Sequence, residues 1–251
     1  MKSIIGVAVG IGLTGMAATA SAHYPWLLLD DHTQAKDSEA KVYMAWGHTF
    51  PLDGFIPKDR VESLVVISSK GKKIELTTDN GVEYKTPVLD APGTFWVAAS
   101  QGKGYFTKTR KGGERAPKTG LSDVVRCFYS DNSMKSILQV DAGGEMGPPL
   151  GQSLEIVPLM NPLQMRVGDY LPLQVLYRGV PYDGMVFATY EGFSSDGAYA
   201  YSVETDDEGK AKVRMLDRGR WVIKARVEQA YPKPDVCDVE AFTSSFTFVV
   251  P

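Results

Sequence analysis

The stretch Tyr199-Ala200-Tyr201-Ser202-Val203-Glu204-Thr205-Asp206-Asp207-Glu208-Gly209-Lys210-Ala211-Lys212-Val213-Arg214-Met215 decides the fold class. Tyr199 to Glu204 and Ala211 to Met215 are short β-compatible runs, and Thr205 to Lys210 between them is an acidic turn containing Gly209. Two such runs around a short turn predict a β-hairpin. Gly219-Arg220-Trp221-Val222-Ile223-Lys224-Ala225 follows a second tight turn and alternates apolar with basic side chains. Trp221 reads as a core residue there, because a strand tryptophan is a usual filler of a sandwich interior.

The same signals recur upstream. Val42 to Trp46, Ser63 to Ser68, Lys73 to Thr78, Val82 to Val88 and Thr94 to Ser100 are short runs rich in β-branched and aromatic residues, set apart by Gly, Asp and Asn turns. After the N-terminal segment no window sustains an apolar period of 3.6 residues, so helix is scarce. The sequence predicts one short helix near Asn132 to Val140, capped by Ser130 or Asp131, and one turn within Lys58 to Leu64 after Pro57. Strand starts spaced about 8–12 residues apart point to sandwiches rather than to a parallel sheet. The run 141–152 is half Gly and Pro and reads as an interdomain linker or crossing segment. The expectation is an all-β protein of two β-sandwich domains with very little helix: residues 23–140, then 153–251, the latter of immunoglobulin-like length.

A hydrophobic content of 43% suits a folded core, and a formal charge of −3 gives no global attraction to nucleic acid or anionic lipid. Charge is locally uneven. Between Gln101 and Gly120 six basic residues face the single acid Glu114, with Tyr105 and Phe106 at the start of the run. A basic loop beside aromatics can contact an anionic polymer or a carbohydrate, and a plain solvated loop has the same composition. Cys127 and Cys237 are the only cysteines; without a Cys-x-x-Cys they suggest neither a redox catalyst nor a zinc knuckle, and an even pair in an exported chain is compatible with a disulfide.

Export itself is read from residues 1–22. Lys2 supplies a charged start, Ile4 to Met16 an apolar run too short for a comfortable membrane span, and Ala18-Thr19-Ala20-Ser21-Ala22 a small-residue cleavage site. Nothing later is long and apolar enough to span a membrane. The expectation is a cleavable signal peptide and a soluble periplasmic protein with no transmembrane segment after cleavage.

That cut determines the chemistry of His23. Only His23, His32 and His48 occur, all within a short stretch, which makes them candidate metal ligands. Cleavage after Ala22 frees an α-amine on His23 that can chelate one metal together with its imidazole, with His48 or His32 adding a third nitrogen. Cleavage after Ala20 gives Ser21-Ala22-His23, a square-planar nitrogen set of amine, two backbone amides and imidazole. Both sets favour Cu(II) or Ni(II). His32, in Asp30-Asp31-His32-Thr33, reads as an exposed turn residue, whereas His48 shares a strand face with Val42, Met44 and Trp46, either as a hydrogen-bonded core-edge residue or as a ligand on a rigid strand. Hydrolase elbows, His-Glu-x-x-His and phosphate loops are absent from the sequence.

Several of these segments together resemble one family. Ala22-His23-Tyr24-Pro25-Trp26-Leu27, Trp46-Gly47-His48-Thr49-Phe50-Pro51, Gly104-Tyr105-Phe106-Thr107-Lys108-Thr109, Leu154-Glu155-Ile156-Val157-Pro158-Leu159 and Gly219-Arg220-Trp221 are similar to the NikM-like family of exported proteins. The resemblance implies a periplasmic component of nickel or cobalt uptake, a membrane metal-uptake transporter as partner, and a C-terminal sandwich of immunoglobulin-like or transthyretin-like kind. It implies His23 and His48 as the metal-bearing residues and says nothing of His32.

The expected function is binding of a transition metal ion, Ni(II), Co(II) or Cu(II), outside the cytoplasm, with no nucleic acid partner and no catalytic residues. Two alternatives stand beside it: a copper histidine-brace enzyme oxidising polysaccharide, and a non-catalytic interaction or structural module.

Overall fold

The computed structural model describes residues 23–251, so the signal-peptide expectation lies outside the described residues. The strands are, in order, β1 (Tyr24–Leu29), β2 (Thr33–Gln34), β3 (Lys41–Gly47), β4 (Gly54–Phe55), β5 (Val61–Ser68), β6 (Lys73–Glu75), β7 (Glu83–Lys85), β8 (Gly93–Thr109) and β9 (Gly112–Glu114). They continue as β10 (Val124–Val140), β11 (Leu154–Pro158), β12 (Tyr170–Tyr177), β13 (Val180–Pro181), β14 (Met185–Tyr190), β15 (Tyr201–Glu204), β16 (Lys210–Arg214), β17 (Gly219–Ala230) and β18 (Val239–Val250). Helix among the described residues is confined to single 3-10 turns at Lys58–Arg60 and Pro162–Gln164. The fold is all-β.

A ten-stranded sheet, ordered β15-β14-β17-β18-β10-β8-β5-β6 with β2 added to β10 and β9 to β8, forms the middle layer. Alternation along its strands feeds a different core on each face. On one face Trp96, Ala98, Ile137, Ile223, Phe242 and Phe246 pack against Ile156, Leu171, Leu173 and Val175 of the four-stranded sheet built from β11, β12, β13 and β16. On the other, Leu64, Val66, Val97, Ala99, Met134 and Leu138 pack against Leu27, Leu29, Val42 and Met44 of the sheet built from β1, β3, β4 and β7. Trp221 is fully buried, as its strand context predicts.

Strands from before and after residues 141–152 meet in the middle sheet, where β10 pairs in parallel with β18 from Phe128↔Val239 to Ser136↔Thr247. The run 141–152 contains no strand but is pinned down: Gly147 O accepts from Trp96 Nε1 at 3.3 Å, and the amides of Leu150 and Gly151 donate to Glu155. A Cys127–Cys237 disulfide closes the open end of the parallel ladder. Such bonds persist in oxidising compartments, which is consistent with an extracytoplasmic protein. No helix among the described residues is long and apolar enough to cross a membrane.

Three sequence expectations need correction. Asn132 to Val140 is the end of a 17-residue strand rather than a helix. Ser133, Lys135 and Ser136 hide its alternation, and each is satisfied on its own face: Ser133 Oγ by Leu154 O, Lys135 by Glu155, and Ser136 Oγ by Thr247 O. The runs flanking Thr205 to Lys210 are strands, yet they do not form a hairpin. β15 pairs with β14 in the middle sheet and β16 with β12 in the outer one, so the chain arches between layers. Thr205 anchors the arch, donating from its hydroxyl to Tyr182 O at 2.7 Å, and Gly209 (φ 71°) sits where a Cβ would press on Val175 O at 2.6 Å. Finally, Gln101 to Thr109 is not a loop but the second half of β8, paired with β10 from Asn132 back to Val124. Part of its charge is compensated, with Lys103 at 3.0 Å from Asp131 and Lys111 at 3.6 Å from Asp123, while the following turn pairs Lys118 with Asp238.

Candidate functional site

β1 and β3 run antiparallel with Tyr24 opposite Gly47, which brings the residues flanking that pair, His23 and His48, together at one end of the small sheet. Their imidazole centroids are 4.1 Å apart and tilted by 42°. The Trp46 indole lies 4.8 Å from the His23 ring, and the Arg60 guanidinium lies 5.0 Å over that indole. The result is a row: guanidinium, indole, imidazole, imidazole. His48 falls just past the end of β3, beyond Gly47 at φ 145°. A Cβ on Gly47 would overlap the Asp53 side chain, so glycine is needed both for the backbone angle and for the approach of that carboxylate. Asp53 Oδ2 accepts the His48 amide at 2.9 Å and closes the 48–53 loop.

The electrostatics favour a neutral ring on His23. Partial burial pushes its pKa below the usual imidazole value and His48 adds to the effect, while Asp53 opposes it. The amides of His48 and Thr49 hold the Asp53 carboxyl below the usual carboxylate range. Sequence reasoning did not single out Asp53; its signal was the Asp-Gly turn five residues after His48.

His32 is not part of this pair. It is buried rather than exposed, because β2 adds in parallel to the end of β10 and draws the residue before it inward. Its Nδ1 donates to Ile137 O at 2.8 Å, and burial lowers its pKa to about 4, so the ring stays neutral. It lines a recess of ≈ 230 Å³ with Asp30, Asp31, Glu191 and Arg220. The described residues contain no group of three or more His, Cys, Asp or Glu side chains arranged to hold a metal. His23 and His48 bring two side-chain imidazoles together at this corner.

The C-terminal half reaches the same corner. A Cβ on Gly197 (φ 82°) would meet His48 O at 2.8 Å, so the 194–198 turn lies directly on the His48 backbone. Next to His23, Tyr24 packs under Lys224 of β17, whose ammonium stands 4.2 Å from the Tyr24 ring centroid, 4.8 Å from that of Tyr199 and 5.9 Å from that of Phe187. The ammonium donates to the Tyr199 hydroxyl. Burial, with Arg226 adding repulsion, lowers the Lys224 pKa to about 8. The unfolded chain therefore holds this proton up to an ordinary lysine pKa while the native state releases it earlier. The stability contribution of this group is full above the unfolded value and is lost as pH falls through about 8. Lys224→Met should unfold at higher urea relative to wild type at pH 7.5 than at pH 10.5, the gap narrowing by up to about 3 kcal/mol. A gap independent of pH would show that the amine titrates normally.

The model of a family described as a domain of unknown function (DUF4198) matches residues 20–229. The chain belongs to the DUF4198 family. The DUF4198 span includes His23, His48, Asp53 and Lys224, and it ends within β17, before the disulfide partner Cys237. No curated protein matches. Among solved structures, the D00-D0 domain of intimin is 12% identical, with 90% of this chain and 99% of that one covered at a TM-score of 0.24. Murine CEACAM1b is 8% identical, covering 92% and 99% at 0.22. Salmonella alpha-2-macroglobulin reacted with methylamine is 12% identical, covering 89% of this chain and 14% of that one at 0.24.

Proposed function

We propose that this DUF4198 protein binds one Ni(II), Co(II) or Cu(II) ion outside the cytoplasm, through the imidazoles of His23 and His48 and the α-amine that signal cleavage after Ala22 would place on His23. The observation that carries this reading is the His23–His48 ring pair, 4.1 Å apart at a strand end. Residues with only two clustered imidazoles need the amine as a third nitrogen, and an all-nitrogen set suits these late first-row ions. Asp53 fixes the loop that carries His48, and Trp46 supports the His23 ring from the other side. The role is capture and presentation of the ion, in keeping with the NikM-like resemblance, with a membrane metal-uptake transporter as the receiving partner. No covalent chemistry is asked of these residues.

The test is native mass spectrometry of protein purified from the periplasm, with and without added Ni(II) and Cu(II). The expected result is a chain beginning at His23 that retains one ion, loses it in His23→Ala and in His48→Ala, and binds more weakly below pH 6 as the amine and imidazoles protonate. Retention of the ion in His48→Ala with a chain starting at Ser21 would replace this arrangement by the square-planar amide set. A correctly processed chain that takes up no metal would end the proposal. Oxygen consumption by the copper form that depends on added reductant would move it to the oxidative enzyme.

A further inference from the structure

The middle sheet is longer than the outer sheet that covers it. On the face packed against β11 and β12, coverage reaches Tyr177, whose ring meets Phe242 at 5.1 Å, and the next residue, Arg178, folds over both of those rings. Beyond that point the register brings Tyr105 of β8, Tyr129 of β10, Glu240 of β18 and Gln229 of β17 into one line across the sheet. Tyr231 folds back onto this line from the end of β17. Its ring lies 5.6 Å from Tyr129 and 5.9 Å from Tyr105, the latter two are 4.9 Å apart, and the Tyr105 and Tyr231 hydroxyls are hydrogen-bonded at 2.7 Å. The three rings are half-buried and belong to none of the buried cores. They pack on one another.

We propose that this uncovered end of the sheet is a saccharide-binding face, taking a neutral pyranose unit of a glycan against the tyrosine cluster. Three properties select that ligand. At the centre of the line Tyr129 and Glu240 lie on strands paired on both sides, so recognition there must come from side chains rather than from an added peptide strand. The charges bordering the rings are matched, Lys103 with Asp131 at 3.0 Å and Arg178 with Glu240 at 3.5 Å, which leaves little net field for a polyanion. What remains are amphipathic rings beside fixed donors and acceptors, including Gln229 held at 2.6 Å from Glu240 and at 3.0 Å from the Tyr177 hydroxyl. A pyranose presents the complementary surface, an apolar C–H face ringed by hydroxyls. The Tyr105 hydrogen bond raises the Tyr231 pKa to about 12, so this phenol keeps its proton across the physiological range.

The test is saturation-transfer NMR and calorimetry of the mature protein with cellohexaose, maltohexaose and chitohexaose, alongside heparin as the anionic comparison. The expected result is saturable binding of at least one neutral hexaose. Binding should weaken at least tenfold in Tyr129→Ala and in Tyr231→Ala and remain unchanged in Phe106→Ala, an exposed ring on the same β8 segment but outside the cluster. Tyr231 lies beyond the end of β17, so its variant serves if Tyr129→Ala fails to fold. No saturable binding of any neutral hexaose, binding indifferent to both tyrosines, or binding of heparin alone would overturn the proposal. None of these results depends on metal, so the face and the His23–His48 site succeed or fail separately.

Discussion

Glu155→Ala should lower the unfolding free energy by about 3–5 kcal/mol, the usual cost of leaving one partner of a buried ion pair uncompensated. Lys135 and Glu155 are each 1% exposed, with Nζ 2.6 Å from Oε1. Burial pulls the Lys135 pKa down, and the Glu155 carboxylate opposes that shift. The Lys135 Nζ also stands 4.7 Å from the centroid of the Trp96 ring. The carboxylate has more partners, since it also accepts from the amides of Leu150 at 2.8 Å and Gly151 at 2.9 Å. The consequences are unequal. Lys135→Met leaves a carboxylate with two backbone donors and should cost less than Glu155→Ala, which leaves the buried Lys135 amine without its carboxylate and frees the Leu150 and Gly151 amides. Urea unfolding of both variants checks this, and a Glu155→Ala loss below about 1 kcal/mol, or a larger loss in Lys135→Met, would show that the pair does not hold the crossing segment in place.

That buried pair also shows why the sequence was only partly legible. Strand positions could be read where β-branched and aromatic runs met Gly and Asp turns, as at Ser63 to Ser68 or Thr94 to Ser100. Pairing could not, because the partner of a strand is set by its layer and not by the turn beside it. The acidic turn before Gly209 looks the same whether the chain reverses within one sheet or arches into another. The second half of β10 was obscured because its polar side chains are satisfied by residues 20 or more positions away, such as Glu155 and Thr247. At the candidate site His23 and His48 were visible from residue type and motif alone. The burial of His32 was not, since it follows from two residues of strand β2 pairing with β10, a pattern too short to leave a periodic trace. The tyrosine cluster was half visible: Tyr105 stands out beside basic residues, but its neighbours Tyr129 and Tyr231 come from elsewhere in the chain.

Replacing both Cys127 and Cys237 with alanine should be the second large loss, about 4–5 kcal/mol in the chain-entropy account of a loop of this length and about 2 kcal/mol at the low end of what native disulfides contribute. The cysteines are 110 residues apart and stand just before Phe128↔Val239, the first pair of the parallel β10–β18 ladder. Parallel neighbours cannot be joined by a tight turn, so without the covalent link folding must close that whole loop to start the ladder. The disulfide stands beside polar contacts at the sheet's end, among them Cys127 N to Asp238 Oδ2 at 2.8 Å and Lys118 to the same carboxylate, and acts on that end first. The loss should therefore be uneven. Amide exchange should accelerate at Phe128 to Asp131 and Val239 to Ala241, the end that carries Tyr129 and Glu240, and should spare Met134 to Leu138 in the double core. Saccharide binding should weaken with it, while metal binding at His23 and His48, on a sheet that the disulfide does not touch, should hold. An equal urea midpoint for the oxidised protein and the double variant would mean that hydrogen bonding and side-chain packing, without the covalent link, are enough to join the two halves of the middle sheet.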